Sequence, residues 1–367
     1  MNNQKRFPTK IHRFALLAVL TFVGAAPAFS GVTFTATGAI DMVPLSISDD
    51  GTIVVGSSLF GAPTFYYTEA AGVSVIGDGC SSGVPAISGD GSTIVGCHVD
   101  ANGKENAAKW LGGTSWQDLG SEAGAVACDA FLSGSWGVTQ DGSLAVGLLW
   151  RAMQCHANAG TWDLVNGGPA TVLPLLTDGV ATRANAVNAD GSVIVGWDDT
   201  LGRAGAKWVN TVPELILTPD GNPNGEALAV SADGRTIVGY GYNNFGSEAW
   251  IWRPKTGVQP IGSPNNKGSF LALDVSDDGR VVVGLIRKGF FLDQQRAFIW
   301  RSGGKGAAYL ADFITRRGAV IPAGWTLNVA SVVSSDGNKI YGWGFNPNGQ
   351  IEMFKVDLNA PAASPRK

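Results

Sequence analysis

Ser276-Asp277-Asp278-Gly279-Arg280-Val281-Val282-Val283-Gly284 is one of seven copies of the same phrase in this chain. The Asp-Gly steps stand at Asp50-Gly51, Asp90-Gly91, Asp141-Gly142, Asp190-Gly191, Asp233-Gly234, Asp278-Gly279 and Asp336-Gly337. Five residues after each of those glycines comes another: Gly56, Gly96, Gly147, Gly196, Gly239, Gly284 and Gly342. The steps are spaced by 40 to 58 residues. A period of that length, repeated seven times, signals an array of small sheets.

Reading outward from the same copy gives the unit. Leu271 to Ser276 alternates as a strand, and Asp277-Asp278-Gly279-Arg280 is a turn. Gly279 takes φ > 0 without strain and Asp278 tolerates it, which predicts a type I′ hairpin. Val281-Val282-Val283 is a short buried strand, and Gly284 removes a Cβ where backbones crowd. Arg296 to Trp300 is a third strand and Ala308 to Ala311 a fourth. The third-strand aromatic recurs as Tyr66 or Tyr67, Trp110, Trp162, Trp208, Trp252, Trp300 and Phe354. Four antiparallel strands per copy make a propeller blade, because stacked blades bury the faces that a lone sheet exposes. The last copy has three strands, and Val32 to Ala36 stands unpaired before the first copy. The expected fold is therefore an all-β, seven-bladed β-propeller over 31–358, its last blade closed by the N-terminal strand, with a disordered tail at 359–367.

The module Asp278-Gly279 to Gly284, followed by Arg296-Ala297-Phe298-Ile299-Trp300, resembles the HAF-type bacterial extracellular repeat. Gly324-Trp325-Thr326-Leu327 leading into Ser335-Asp336-Gly337 resembles its closing module. The resemblance covers nearly all of the chain after the first thirty residues, although no copy carries a His before the Ala-Phe pair. It implies a secreted or surface propeller and brings no catalytic residues with it.

Lys5, Arg6, Lys10 and Arg13, then the apolar run from Phe14 to Ala26 and the small residues Ala26-Pro27-Ala28, read as a secretory signal peptide over 1–28. No other apolar run approaches the ~20 residues of a membrane span, so a secreted, periplasmic or extracellular protein without a transmembrane span is expected. Losing the leader takes the basic residues from 26 to 22 against 30 acidic ones, a net charge near −8. That excludes nucleic acid as the main partner.

Four cysteines in a secreted chain indicate two disulfides. Cys128 and Cys155 are equidistant from the turn at Asp141-Gly142, and Cys80 and Cys97 flank the turn at Asp90-Gly91 with a small offset. Cys80–Cys97 and Cys128–Cys155 are thus favoured over the other two connectivities. No Cys-x-x-Cys occurs and only His98 and His156 remain after the leader, so no metal or other cofactor is expected.

A residue repeated seven times serves the fold, so function is expected in the loops that the repeat does not share, at the opposite end of each blade. Trp150, Trp197, Tyr240, Tyr242 and Trp343 follow second strands closely and would form an aromatic ring there. Arg151, Arg203, Arg287, Arg296 and His156 add polar groups. The binding set read from sequence is Trp150, Arg151, His156, Trp197, Tyr240, Tyr242 and Arg287, with no catalytic residue assigned. No Gly-x-Ser-x-Gly, His-Glu-x-x-His or P-loop is present. The reading is a monomeric, non-catalytic propeller that binds an extracellular glycan or protein. The alternative is a propeller enzyme, a lyase or glycoside hydrolase acting on polysaccharide.

Overall fold

The computed structural model describes residues 31–59, 62–151, 155–241, 248–262, 264, 269–289 and 291–360. The leader lies outside them. Seven four-stranded antiparallel sheets stand around one axis. In chain order the innermost strands are Met42–Ile47, Ala86–Ile87, Ser133–Val138, Thr182–Val187, Glu226–Val230, Ser269–Val275 and Thr326–Val333. Gly31–Ile40 pairs antiparallel with Ile351–Ala360 and supplies the outer strand of the seventh blade. The ring therefore closes as expected. The closing strand runs on to Ala360, so Asn359 and Ala360 belong to the sheet and not to the tail.

The repeated phrase builds the same turn seven times, but not the expected one. Gly279 has φ +67 and its six equivalents are also positive, whereas none of the seven aspartates is. The amide of Gly279 donates to the carbonyl of Ser276 at 2.8 Å, so the left-handed residue closes the turn instead of lying inside it. This is the longer hairpin loop with a glycine at its end, not a type I′ pair. The aspartate has a different role. Asp278 Oδ1 accepts from Ser276 Oγ at 2.7 Å and from the Arg280 amide at 2.9 Å, while Ser276 Oγ accepts from the Val281 amide at 3.0 Å. The equivalent carboxylate-centred network recurs at Asp50, Asp90, Asp141, Asp190, Asp233 and Asp336.

The second repeated glycine has a separate cause. Six innermost strands carry a β-bulge at the same place, between Pro44 and Ser46, Ser135 and Gly137, Ala184 and Ala186, Ala227 and Ala229, Ala272 and Asp274, and Ala330 and Val332. A bulge bends its strand toward the partner. A Cβ on Gly196 would lie 1.8 Å from the Arg183 carbonyl oxygen, and one on Gly284 would lie 2.0 Å from that of Leu271. Gly96 is the exception, with nothing nearer than 3.4 Å. It belongs to the one blade whose innermost strand is two residues long and unbulged.

Neighbouring blades are joined by apolar packing and by indole hydrogen bonds. Trp162 and Trp208 are buried, and their Nε1–H groups donate to Gly120 O and Pro174 O of the preceding blade. Burying a tryptophan this way needs a partner for its one polar atom. One expectation fails in the sixth blade. Its outer strand is only Ala308–Tyr309, and Leu310–Thr315 is a helix. Leu310 and Ile314 are fully buried while Asp312 between them is exposed, which fits a helix; in a strand all three would share one face.

Both disulfides have the expected pairing, Cys80–Cys97 and Cys128–Cys155. They are not cross-strand bridges about the turn, however. Cys80 and Cys128 lie in the loops that enter blades two and three, ahead of the innermost strands, and Cys155 lies at the tip between the second and third strands. Both staples therefore sit on the side opposite the Asp-Gly turns.

Candidate ligand-binding face

The axis is lined by the bulged residues. Leu45, Trp136, Asn185, Leu228, Leu273 and Ser331 surround a cavity of about 210 Å³. Most of the surface it exposes is polar, although many lining residues are aliphatic, and Asp49, Asp274 and Asp277 are its carboxylates. Asp274 lines this space and accepts from the Val275 and Val333 amides at 2.8 and 2.7 Å. Burial pushes its carboxyl up to about 7 despite those bonds. Neither arginine nor histidine lines the cavity.

On the face opposite the Asp-Gly turns, Trp197 and Tyr240 join one charged cluster. Glu226 is clamped by Arg183 Nη2 at 2.9 Å and Arg203 Nη1 at 2.7 Å, and Arg203 Nε also reaches Asp199 at 2.8 Å. The Arg183 guanidinium stacks 3.8 Å from the Trp136 ring and that of Arg203 3.6 Å from Trp197. Burial pulls Arg183 below its ordinary value, and burial followed by the Glu226 carboxylate pushes the Tyr240 phenol up. Every charge here already has a partner, so the cluster ties blade four to blade five. Sequence reading missed Arg183 and Glu226. Both stand seven residues before the aspartate of their phrase, where the other copies have Val43, Gly83, Gly134, Leu271 and Val329. Two opposite charges at an otherwise apolar or glycine position of adjacent copies were the available signal.

Arg151 and His156 face each other across the tip of the second and third strands of blade three. They line a separate cleft of about 520 Å³ with Glu122, Asn158, Asp178 and the apolar Ala125, Val126, Leu175 and Val180. Arg151 Nε donates to Glu122 Oε1 at 3.1 Å, and Asn158 Nδ2 to Val180 O at 3.1 Å. The Cys128–Cys155 disulfide ties the loop that carries Glu122 and Val126 to the strand tip that carries His156. His156 Nδ1 is buried and has no hydrogen-bond partner among the described residues.

The remaining expected residues are dispersed. Trp150 packs against Phe131, ring centroids 5.4 Å apart, and Trp343 is buried against Leu285 and Val329. Arg287 is exposed at the end of a second strand in blade six, and Tyr242 lies outside the described residues. No single aromatic ring is formed by the described members of the set. His98 pairs with Asp118 at 2.9 Å beside another cleft. Among the described residues, the one group of three potential metal-ligating atoms is Cys80, Cys97 and Glu105. Its sulfurs are joined in a disulfide, and Glu105 already accepts from the Ser81 and Ser82 amides.

No protein-family model matches the chain, and no curated protein matches it in sequence. Solved structures do resemble it. A chain of a Mitotic Checkpoint Complex superposes with a TM-score of 0.52 at 14% identity, covering 95% of this chain and 99% of that one. The β-propeller domain of the Trilobed protease from Pyrococcus furiosus gives 0.53 at 11% identity, covering 90% and 100%. That propeller is described as having an open velcro topology, whereas here the terminal strands pair. TolB from Acinetobacter baumannii gives 0.48 at 16% identity over 76% of this chain, which spans 63% of TolB's length. At these identities the shared property is the propeller fold.

Proposed function

We propose that this is a secreted or surface-associated, non-catalytic β-propeller that binds an extracellular glycan or protein through the cleft between blades three and four. The observation that carries the reading is the composition of that cleft. It combines Arg151, His156, Asn158, Glu122 and Asp178 with an apolar wall, on loops held by a disulfide. Polar groups converging on an apolar hollow are what a binding site needs. Variable loops on a rigid scaffold are where such sites lie. The leader and the two disulfides support an oxidising compartment, and the resemblance to the HAF-type repeat supports a secreted or surface setting.

The test is binding of purified protein to arrays of extracellular glycans and of secreted or surface proteins, with Ala125→Trp as the variant that fills the cleft. Binding lost in Ala125→Trp, with an unchanged melting temperature and no new reducing or unsaturated ends in bound glycans, supports the reading. Turnover of a bound polysaccharide would replace it with the enzyme alternative, and binding indifferent to the cleft would place the site elsewhere.

A further inference from the structure

Resting on the reading of the cleft as the binding site, we infer that its occupant is a lysine or arginine side chain presented by an extended segment of a partner protein. Three features of the cleft select that chemistry. The first is charge. Two carboxylates, Glu122 and Asp178, face one guanidinium, Arg151. Arg151 is held by Glu122 at 3.1 Å, which leaves Asp178 as the carboxylate without an ion pair or hydrogen bond among the described residues. A cleft with an unpaired anion attracts a cation and repels an acidic ligand.

The second is the wall. Val126, Leu175 and Val180 are aliphatic, and no Phe, Tyr or Trp is among the described residues that line the cleft. Saccharide sites use aromatic faces to stack on sugar rings. A lysine or arginine instead lays a methylene stem along aliphatic surface and keeps its charged head at a polar group. The third is the rim. Val126, in the cleft lining, is 65% exposed, a large apolar side chain that a protein backbone and its neighbouring residues would cover. The acidic balance of the whole chain, 30 acidic against 26 basic residues, steers a basic segment in the same direction.

The experiment uses an array of acetylated, amidated twelve-residue peptides, followed by fluorescence-polarisation titration of the hits. The titrations compare each hit with its analogue in which the single Lys or Arg is replaced by norleucine. The protein variants are Asp178→Asn, and Asp220→Asn as a control at an exposed aspartate that does not line the cleft. Hits that carry Lys or Arg, weakened about five- to tenfold by norleucine and by Asp178→Asn but not by Asp220→Asn, are the expected result. Asp178 is exposed, so its variant should keep the wild-type melting temperature. Binding unaffected by norleucine or by Asp178→Asn, or no binding by any basic peptide at millimolar concentration, overturns the inference. Glycan binding that Ala125→Trp abolishes and Asp178→Asn leaves intact would overturn it while leaving the cleft as the binding site.

Discussion

The backbone amide of Ser335 donates to the carbonyl of Asp49 at 3.2 Å, joining the seventh blade to the first. It is the last link of a circular chain. Asp49 donates to Gly89, Asp90 to Gln140, Gln140 to Ala189, Ala189 to Ala232, Ala232 to Asp277, and Asp277 to Ser335, all at 2.9–3.3 Å. The residues beside each Asp-Gly step thus encircle the axis, each blade holding the next by one backbone bond. The phrase therefore shapes the hairpin within a blade and also sets the joint between blades. Gln140 and Ser335 reinforce the ring with side-chain bonds to Asp49 and Asp277.

The turn glycines differ in what a side chain would meet. At Gly191 (φ +78) the nearest atom to an added Cβ is Leu144 Cδ2 at 3.3 Å, so the cost is mainly conformational. At Gly279 an added Cβ would lie 2.3 Å from Thr236 Oγ1 and 2.8 Å from Thr236 Cβ, on a buried residue of the neighbouring blade. Gly191→Val should lose at least ~1–2 kcal/mol, and Gly279→Val clearly more. Chemical denaturation of both variants checks the order, and a wild-type midpoint for either would refute the turn assignment.

The turn carboxylates predict acid sensitivity. Hydroxyl and amide donors from Ser88 and Ser92 hold Asp90 below the usual carboxylate range, and those of Ser143 and Thr139 do the same for Asp141. Burial opposes the shift at Asp50, Asp233 and Asp336, but the hydrogen bonds outweigh it. A folded-state value below the unfolded one gives stability that is present above about pH 4 and is lost as pH falls through the folded values. The melting temperature should drop steeply below about pH 4. Thr139→Val, which removes one donor to Asp141, should flatten that drop slightly.

Asp274 predicts the opposite slope. Its carboxyl is pushed from 3.8 to about 7 by burial, so the folded state holds a proton that the unfolded state releases. Its contribution to stability falls as pH rises from about 4 to 7. Asp274→Asn removes the ionisation but also one of the two acceptors that serve Val275 and Val333. The melting temperature of the variant relative to wild type should therefore rise between pH 5 and pH 8. A constant difference across that range would show that Asp274 does not titrate there.

The Cys128–Cys155 disulfide closes a loop with a sequence separation of 27. Replacing both cysteines by serine should cost about 3 kcal/mol. Because the bridge ties one wall of the cleft to the other, the same variant should weaken binding at the cleft even at temperatures where it stays folded. Titration of whichever ligand the arrays return, at a temperature well below the melting point, checks this.

Closure can be tested at Phe34. Its ring lies 5.2 Å from that of Trp325 and 6.1 Å from that of Phe354, so it fastens the N-terminal strand to the last blade. Phe34→Ala should cost about 3 kcal/mol, the low end for such truncations because the ring is only partly buried. Faster hydrogen exchange confined to 31–40 and 351–360 would locate the effect, and uniform exchange across the chain would show that the closing strand does not open separately.

Blade count, strand order within each blade, closure and disulfide pairing were all legible in the chain. Local rules write them into each copy: turn residues at fixed offsets, alternating strands, and a leftover strand at one end matching a gap at the other. The turn type was misread because the Asp-Gly pair alone does not reveal that the aspartate caps a longer loop. Leu310 and Ala311 were misread as the end of a strand because the helix they open is shorter than two turns.

The site was less legible, for a physical reason. Trp150, Arg151 and His156 lie close in sequence, yet the indole turns to Phe131 while the other two line the cleft with Asp178 and Glu122. Arg183, Arg203 and Glu226 come from three different elements and meet only because blades four and five stack. The sequence by itself determined the repeating hydrogen-bond pattern within each blade, since both partners of those bonds sit at constant separations along the chain. Only the tertiary structure decided which charges are already paired and which face an open cleft. That depends on contacts between blades, whose partners have no fixed spacing in sequence.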